Sequence, residues 1–167
     1  RNAGEQDIVY IHINSEGGSL FTAVQFLRVL GETKATVVAS VEGLCMSAAT
    51  LIFMAAKNHE ITNHSMFMFH NYSNKVEGKG GELLDHILHA HTWGEKLLRD
   101  VYASFLTEAE IQFIMNGKDL YMTSEEVTLR LQKRNEEIRR INSPEGVKKK
   151  RSTTKKAPIS HRIGLTA

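Results

Sequence analysis

Ser47, His70 and Asp119 are a hydroxyl, an imidazole and a carboxylate, the three groups that nucleophilic attack on an amide requires. Such attack needs the hydroxyl at a sharp turn and a base that reaches it. It also needs a group to orient that base and backbone N–H donors facing the developing oxyanion. Ser47 lies in Glu42-Gly43-Leu44-Cys45-Met46-Ser47-Ala48-Ala49, between a β-branched run and a small-residue apolar stretch. A helix opening there offers free N–H groups and the positive end of its dipole. Ala48 and Ala49 leave space for a substrate backbone. The same position equally suits an ordinary N-cap serine. Ser15-Glu16-Gly17-Gly18 carries paired glycines that permit positive φ and close backbone approach, for an oxyanion donor, for pairing with a substrate strand, or simply for a tight turn. His70 ends an apolar run and is equally a base at a sheet edge or a histidine satisfied by a loop carbonyl. Asp119, in Asn116-Gly117-Lys118-Asp119, reads by itself as a turn aspartate between two helices.

The elements that would position these groups are legible as hydrophobic period. Residues 7–14 are β-branched and aromatic and predict a strand. Leu20, Val24 and Leu27 recur at helical spacing, with Gly31 as a helix stop. Residues 35–41 predict a second strand, broken by Glu42-Gly43, and residues 47–56 an apolar helix. Residues 65–70 predict a third strand, with Ser65, Phe67 and Phe69 on one face and Met66, Met68 and His70 on the other. This β-α-β-α-β order implies an α/β core with neighbouring parallel strands. Residues 71–81 are polar and glycine-containing, hence a loop or a loose hairpin. Residues 82–105 form a long helical pattern whose apolar positions exceed a narrow stripe, so it packs on two sides, within one subunit or between subunits. Thr107 with Glu110, and Thr123 with Glu126, match capping boxes that open two further helices, the last closed by Asn142-Ser143-Pro144.

These fragments fall in a familiar order. Ile13-Asn14-Ser15-x-Gly17-Gly18, Gly43-x-x-x-Ser47, Met68-Phe69-His70 and Asp119-x-Tyr121-Met122-Thr123-x-x-Glu126 together resemble the Clp protease proteolytic subunit, over residues 7–127. The resemblance implies a crotonase-like spiral of β-β-α units, with residues 82–105 as a long protruding handle helix. It implies a serine endopeptidase acting on unfolded protein, with Ser47 as nucleophile, His70 as general base and Asp119 orienting the base. Gly18 and Ala48 match the positions whose backbone N–H groups form the oxyanion hole, and Gly17 and Asn71 are the expected substrate-binding residues. The implied working form is a homo-oligomer of stacked rings fed by an AAA+ unfoldase ATPase. Neither a cofactor nor a metal is expected in the subunit itself.

The chain also departs from the family pattern. Glu16 stands where the family usually has proline, Cys45 and Met46 replace small residues, and Ala48-Ala49 replaces Met-Gly. A Gly-Leu-Val-Asp-like strand after the last short helix is absent, and that helix instead continues through Arg130 to Arg140. The family's N-terminal helix and axial loops have no counterpart here, so a segment upstream of Arg1 is expected. A divergent relative, such as a phage-encoded one, fits these departures. Two rival readings remain beside the peptidase: an inactive structural or assembly subunit, and a crotonase-like acyl-CoA enzyme that would use the oxyanion hole without the serine, histidine and aspartate.

Composition bounds the rest. With 167 residues, 41% hydrophobic and 24% charged, the chain suits one globular domain over residues 1–142. Cys45 is the only cysteine, which excludes an intrachain disulfide and a Cys-based zinc cage. With no apolar run of membrane-spanning length and no signal-peptide core, a cytoplasmic protein is expected. His86, His89 and His91 do not converge on a metal, because the third lies well around the helix from the first; a solvated or inter-subunit face is expected. Gly78-Lys79-Gly80-Gly81 lacks the spacing and the hydroxyl of a phosphate-binding loop. Residues 143–167 hold seven Lys and Arg against Glu145 alone, a net +6 that leaves −4 on the remainder of a chain totalling +2. This basic tail is expected to be disordered and to attract polyanions without specificity.

Overall fold

The computed structural model describes residues 2–143, and the readings made for the basic segment beyond them lie outside the described residues. Five strands and five helices follow in the order β1 (Ile8–Ser15), α1 (Leu20–Glu32), β2 (Thr36–Met46), α2 (Ala48–Ala55), β3 (Asn58–Ile61), β4 (Met66–Phe69), α3 (Gly80–Tyr102), α4 (Glu108–Met115), β5 (Leu120–Thr123) and α5 (Ser124–Asn142). The result is the mixed α/β architecture that the alternation of periods implies. Two compact units are present, the first ending at Leu131; within the described residues the second is 132–143, the C-terminal turns of α5. Among the described residues no helix is long and apolar enough to cross a membrane.

β2 is the spine of the sheet. It pairs in parallel with β1 on one side, and on the other with β3 along its first half and β4 along its last residues. β5 closes the far edge antiparallel to β4. A strand flanked on both edges and covered on both faces reads as a nearly unbroken apolar run, and Val37 to Val41 are buried without alternation. The β4 alternation holds in space: Ser65, Phe67 and Phe69 are buried while Met66 is exposed. Burying Phe67 and Phe69 contributes about 1.5–3 kcal/mol each relative to exposure. They join Val41, Cys45, Leu51, Phe53, Tyr102, Ile114 and Val127 in one core.

Four local expectations change. Glu42-Gly43 does not end β2, which runs on to Met46. Instead the pairing shifts from Ile13–Val41 to Ser15–Cys45, so the extra residues bulge on β2. The Asn14 side chain fills the gap by accepting from the Leu44 N–H at 3.0 Å. Gly43, at φ 150°, holds a backbone conformation that other residues rarely adopt, and a Cβ there would fall 2.8 Å from Asn14 Oδ1. Gly31 lies inside α1, which ends only at a Thr33 cap bonded to the Val29 carbonyl. β3 and β5 are strands where no strand is legible, each only four residues long. Both capping boxes form; Thr107 and Glu110 exchange bonds at the start of α4, and Thr123 and Glu126 at the start of α5.

Candidate active site

Strand register delivers the three chemical groups to one end of the sheet's strands. Ser47 is the residue after β2, His70 the residue after β4, and Asp119 the residue before β5. Met46 pairs with Met68 in parallel, and the Ser47 N–H continues the ladder to the Met68 carbonyl at 2.8 Å. Phe69 pairs with Leu120 in the antiparallel ladder, so one further step sets His70 opposite Asp119. His70 Nε2 lies 2.6 Å from Ser47 Oγ. On the other side of the ring, Nδ1 lies 3.6 Å from Asp119 Oδ1, an ion-pair contact longer than a hydrogen bond. His70 is largely buried, whereas half of the Asp119 side chain is exposed.

The turn at Ser47 is strained. Its φ of 54° and ψ of −128° form a sharp strand-to-helix elbow that a non-glycine residue adopts only when its surroundings compel it. The N-cap alternative does not hold: Ser47 precedes α2 but its side chain makes no cap bond, and Oγ is committed to His70. Gly17 is packed directly against the elbow. At φ 111°, a Cβ there would stand 2.6 Å from the Ser47 Cβ and 2.9 Å from the Met46 carbonyl. The Ser47 N–H is spent on Met68, so the next amide is the first one free to face an oxyanion. That amide belongs to Ala48, the first residue of α2, whose N–H the helix leaves without an internal acceptor. The Gly18 N–H makes no backbone hydrogen bond among the described residues.

A cavity of about 510 Å³ opens beside these groups, lined by Gly18, Ser47, Ala48 and His70 among others. Phe21 of α1 and Trp93 of α3 stack at 5.7 Å and both face it. His86 and His89 also line it while His91 does not, and both remain exposed, in keeping with the solvated face expected of them. Gly17 and Asn71, expected at the substrate, are not among the lining residues. Gly17 buttresses the elbow, and Asn71 Oδ1 accepts from the Tyr72 N–H at 2.9 Å. Cys45, two residues before Ser47, is fully buried, and burial pushes its thiol up to about 12, which leaves it inert as a nucleophile. Sequence reasoning passed over Thr50 and Tyr102, whose hydroxyls meet at 2.6 Å in the core next to the elbow. The available signal was a polar side chain three residues into an apolar helix.

A serine elbow, a histidine and a carboxylate at adjoining strand ends of an α/β domain is an arrangement of the kind that serine hydrolases use. The Clp protease family model matches residues 1–144, and the chain belongs to the Clp protease family. That membership agrees with the resemblance carried by the four sequence motifs and makes the chain, at family level, a serine peptidase. No curated protein matches the chain.

Proposed function

We propose that this chain is a serine endopeptidase in which Ser47, His70 and Asp119 form the catalytic triad. The observation that carries the proposal is the 2.6 Å contact between Ser47 Oγ and His70 Nε2 at the head of a strained elbow. Ser47 Oγ attacks the scissile carbonyl as His70 Nε2 takes its proton. The amides of Gly18 and Ala48 receive the oxyanion, and His70 returns the proton to the leaving amine. Asp119 orients the imidazole through Nδ1, and its 3.6 Å separation closes to a hydrogen bond as positive charge develops on the ring. Gly17 and Asn71 flank the path of a substrate strand. On this reading the fold is the crotonase-like spiral of the family, with α3 as the handle through which subunits assemble into stacked rings. Unfolded protein supplied by an AAA+ unfoldase ATPase is the substrate. A fluorophosphonate probe labels the full-length protein at Ser47 and fails on Ser47→Ala; labelling of another serine overturns the assignment.

One observation favours a second reading, an inactive subunit retained for assembly: the long His70–Asp119 contact with Asp119 half exposed. Turnover of a peptide by the assembled full-length protein separates the two, because an inactive subunit gives none. No observation favours the acyl-CoA alternative, which leaves the Ser47–His70 contact without a purpose.

A further inference from the structure

The backbone of Ser47 is held from both sides, and the second hold comes from residues with no place in the triad. On the N-terminal side its amide is bonded to Met68. On the C-terminal side its carbonyl oxygen accepts twice from one residue, from the Thr50 N–H at 3.0 Å and from Thr50 Oγ1 at 2.6 Å. Thr50 Oγ1 also lies 2.6 Å from the Tyr102 hydroxyl. The proton directions follow by elimination. A carbonyl can only accept, so the single Thr50 hydroxyl proton goes to Ser47, and Tyr102 must donate to Thr50. The result is a directed chain, Tyr102 O–H to Thr50 O–H to the Ser47 carbonyl, with Thr50 fully buried and Tyr102 nearly so. Burial raises the Tyr102 phenol well above its ordinary value, so it stays protonated and keeps donating through the working pH range.

Tyr102 is the last residue of α3, and its position is itself well determined. Its carbonyl accepts from both the Phe105 and the Leu106 amides, each at 2.8 Å. Its ring meets Phe69 edge-on, with centroids 5.4 Å apart at 86°. Phe69 directly precedes His70, so one side chain touches the neighbour of the base and the residue that holds the nucleophile's carbonyl. An elbow with φ 54° at a non-glycine residue relaxes unless its surroundings over-determine it.

We infer that Thr50 and Tyr102 are positioning residues for the nucleophile, a buried hydroxyl relay that holds the Ser47 elbow and makes its geometry depend on the docking of the end of α3. The relay acts on the Ser47 backbone, and although Tyr102 lines the cavity Thr50 does not, so loss of the Thr50 hydroxyl lowers the rate of attack and not the affinity for substrate. The inference rests on the proposed role of Ser47, and its test keeps the two apart.

The test compares fluorophosphonate labelling rates at Ser47, and kcat and KM for a peptide ester, in the full-length protein and three variants. Thr50→Val removes the hydroxyl at nearly constant shape and strands the Tyr102 donor. It is expected to slow labelling about tenfold or more and to lower kcat with KM changed less than about twofold. Thr50→Ser restores the hydroxyl and recovers most of the rate. Tyr102→Phe keeps the ring against Phe69 and is expected to slow labelling about threefold. Wild-type labelling at Ser47 with an equal rate in Thr50→Val overturns the relay and leaves the functional reading standing. A wild-type protein unlabelled at Ser47 overturns the functional reading, and the relay with it. Should Thr50→Val not fold, the other pair decides. A slowed Tyr102→Phe beside an active Thr50→Ser upholds the relay, and equal wild-type rates in both reject it.

Discussion

Ser47–His70–Asp119 and Thr107–Glu110–Arg130 are built from the same kinds of group and are bonded in opposite ways. Glu110 has nearly all its acceptor capacity in use. Arg130 grips both its carboxylate oxygens, at 2.6 and 2.9 Å, while the Thr107 N–H and hydroxyl donate at 2.8 and 2.9 Å. Those bonds, chiefly the pair from Arg130, hold its pKa down to about 2 from 4.5. Asp119 has by contrast one 3.6 Å contact with His70 and remains half exposed. The tight cluster joins the start of α4 to α5, and its groups never need to change state. The loose one fixes its groups instead through backbone: strand ends, a strained elbow, a glycine with no room for a methyl. Strong mutual bonding suits a joint, and backbone placement with spare bonding capacity suits the reactive role proposed for Ser47, His70 and Asp119.

Substitution sharpens or breaks that contrast. The largest effect belongs to Ser47→Ala and His70→Ala, each expected to lower kcat for peptide hydrolysis by about 10⁴–10⁶ without changing the melting temperature by more than a few degrees. Turnover surviving either change removes the site from consideration. Asp119→Asn follows, with a loss of about 10²–10⁴ in kcat if the carboxylate orients the imidazole. A loss under tenfold would show that the 3.6 Å contact carries no catalytic role. Gly17→Ala comes next. Its Cβ collides with Ser47 at 2.6 Å, and a shift of about 1 Å in the elbow costs about 10² in rate. A fully active Gly17→Ala would mean that the elbow yields easily.

Arg130→Met is the smallest of these for activity and the clearest for stability. Peptide turnover should stay within about twofold of wild type, while urea titration shows a loss of about 1–3 kcal/mol at neutral pH. The sign of its pH dependence is set by Glu110, whose carboxylate is depressed to about 2 in the folded protein. The stabilisation is therefore complete above about pH 4.5 and fades as pH falls towards 2. The difference between wild type and variant should shrink over that same window. A difference independent of pH would assign the effect to packing against Phe105, over whose ring the Arg130 guanidinium lies at 6.0 Å.

What could be read in advance was whatever local period or local chemistry records. The alternation of residues 65–70, the helical spacing of α1 and α3 and both capping boxes were legible, since each is written within a few residues. The two short strands were not. Asn58–Ile61 and Leu120–Thr123 have no extended apolar run of their own, and they are strands because β2 and β4 offer them partners. Missing β5 left Asp119 as a turn residue between helices, and only the antiparallel ladder sets it across from His70.

By itself the sequence determined which groups were available and which elements carried them: a hydroxyl after an apolar strand, an imidazole at the end of another, a carboxylate beyond a long helix. Tertiary structure alone decided that Ser47 turns its oxygen to His70 rather than capping α2, that Gly17 must have no side chain, and that Thr50 and Tyr102 meet beneath the elbow. The reason is physical. Periodicity reports which face of an element is buried, whereas contacts between atoms far apart in the chain are set by strand register and by packing, which no local window contains.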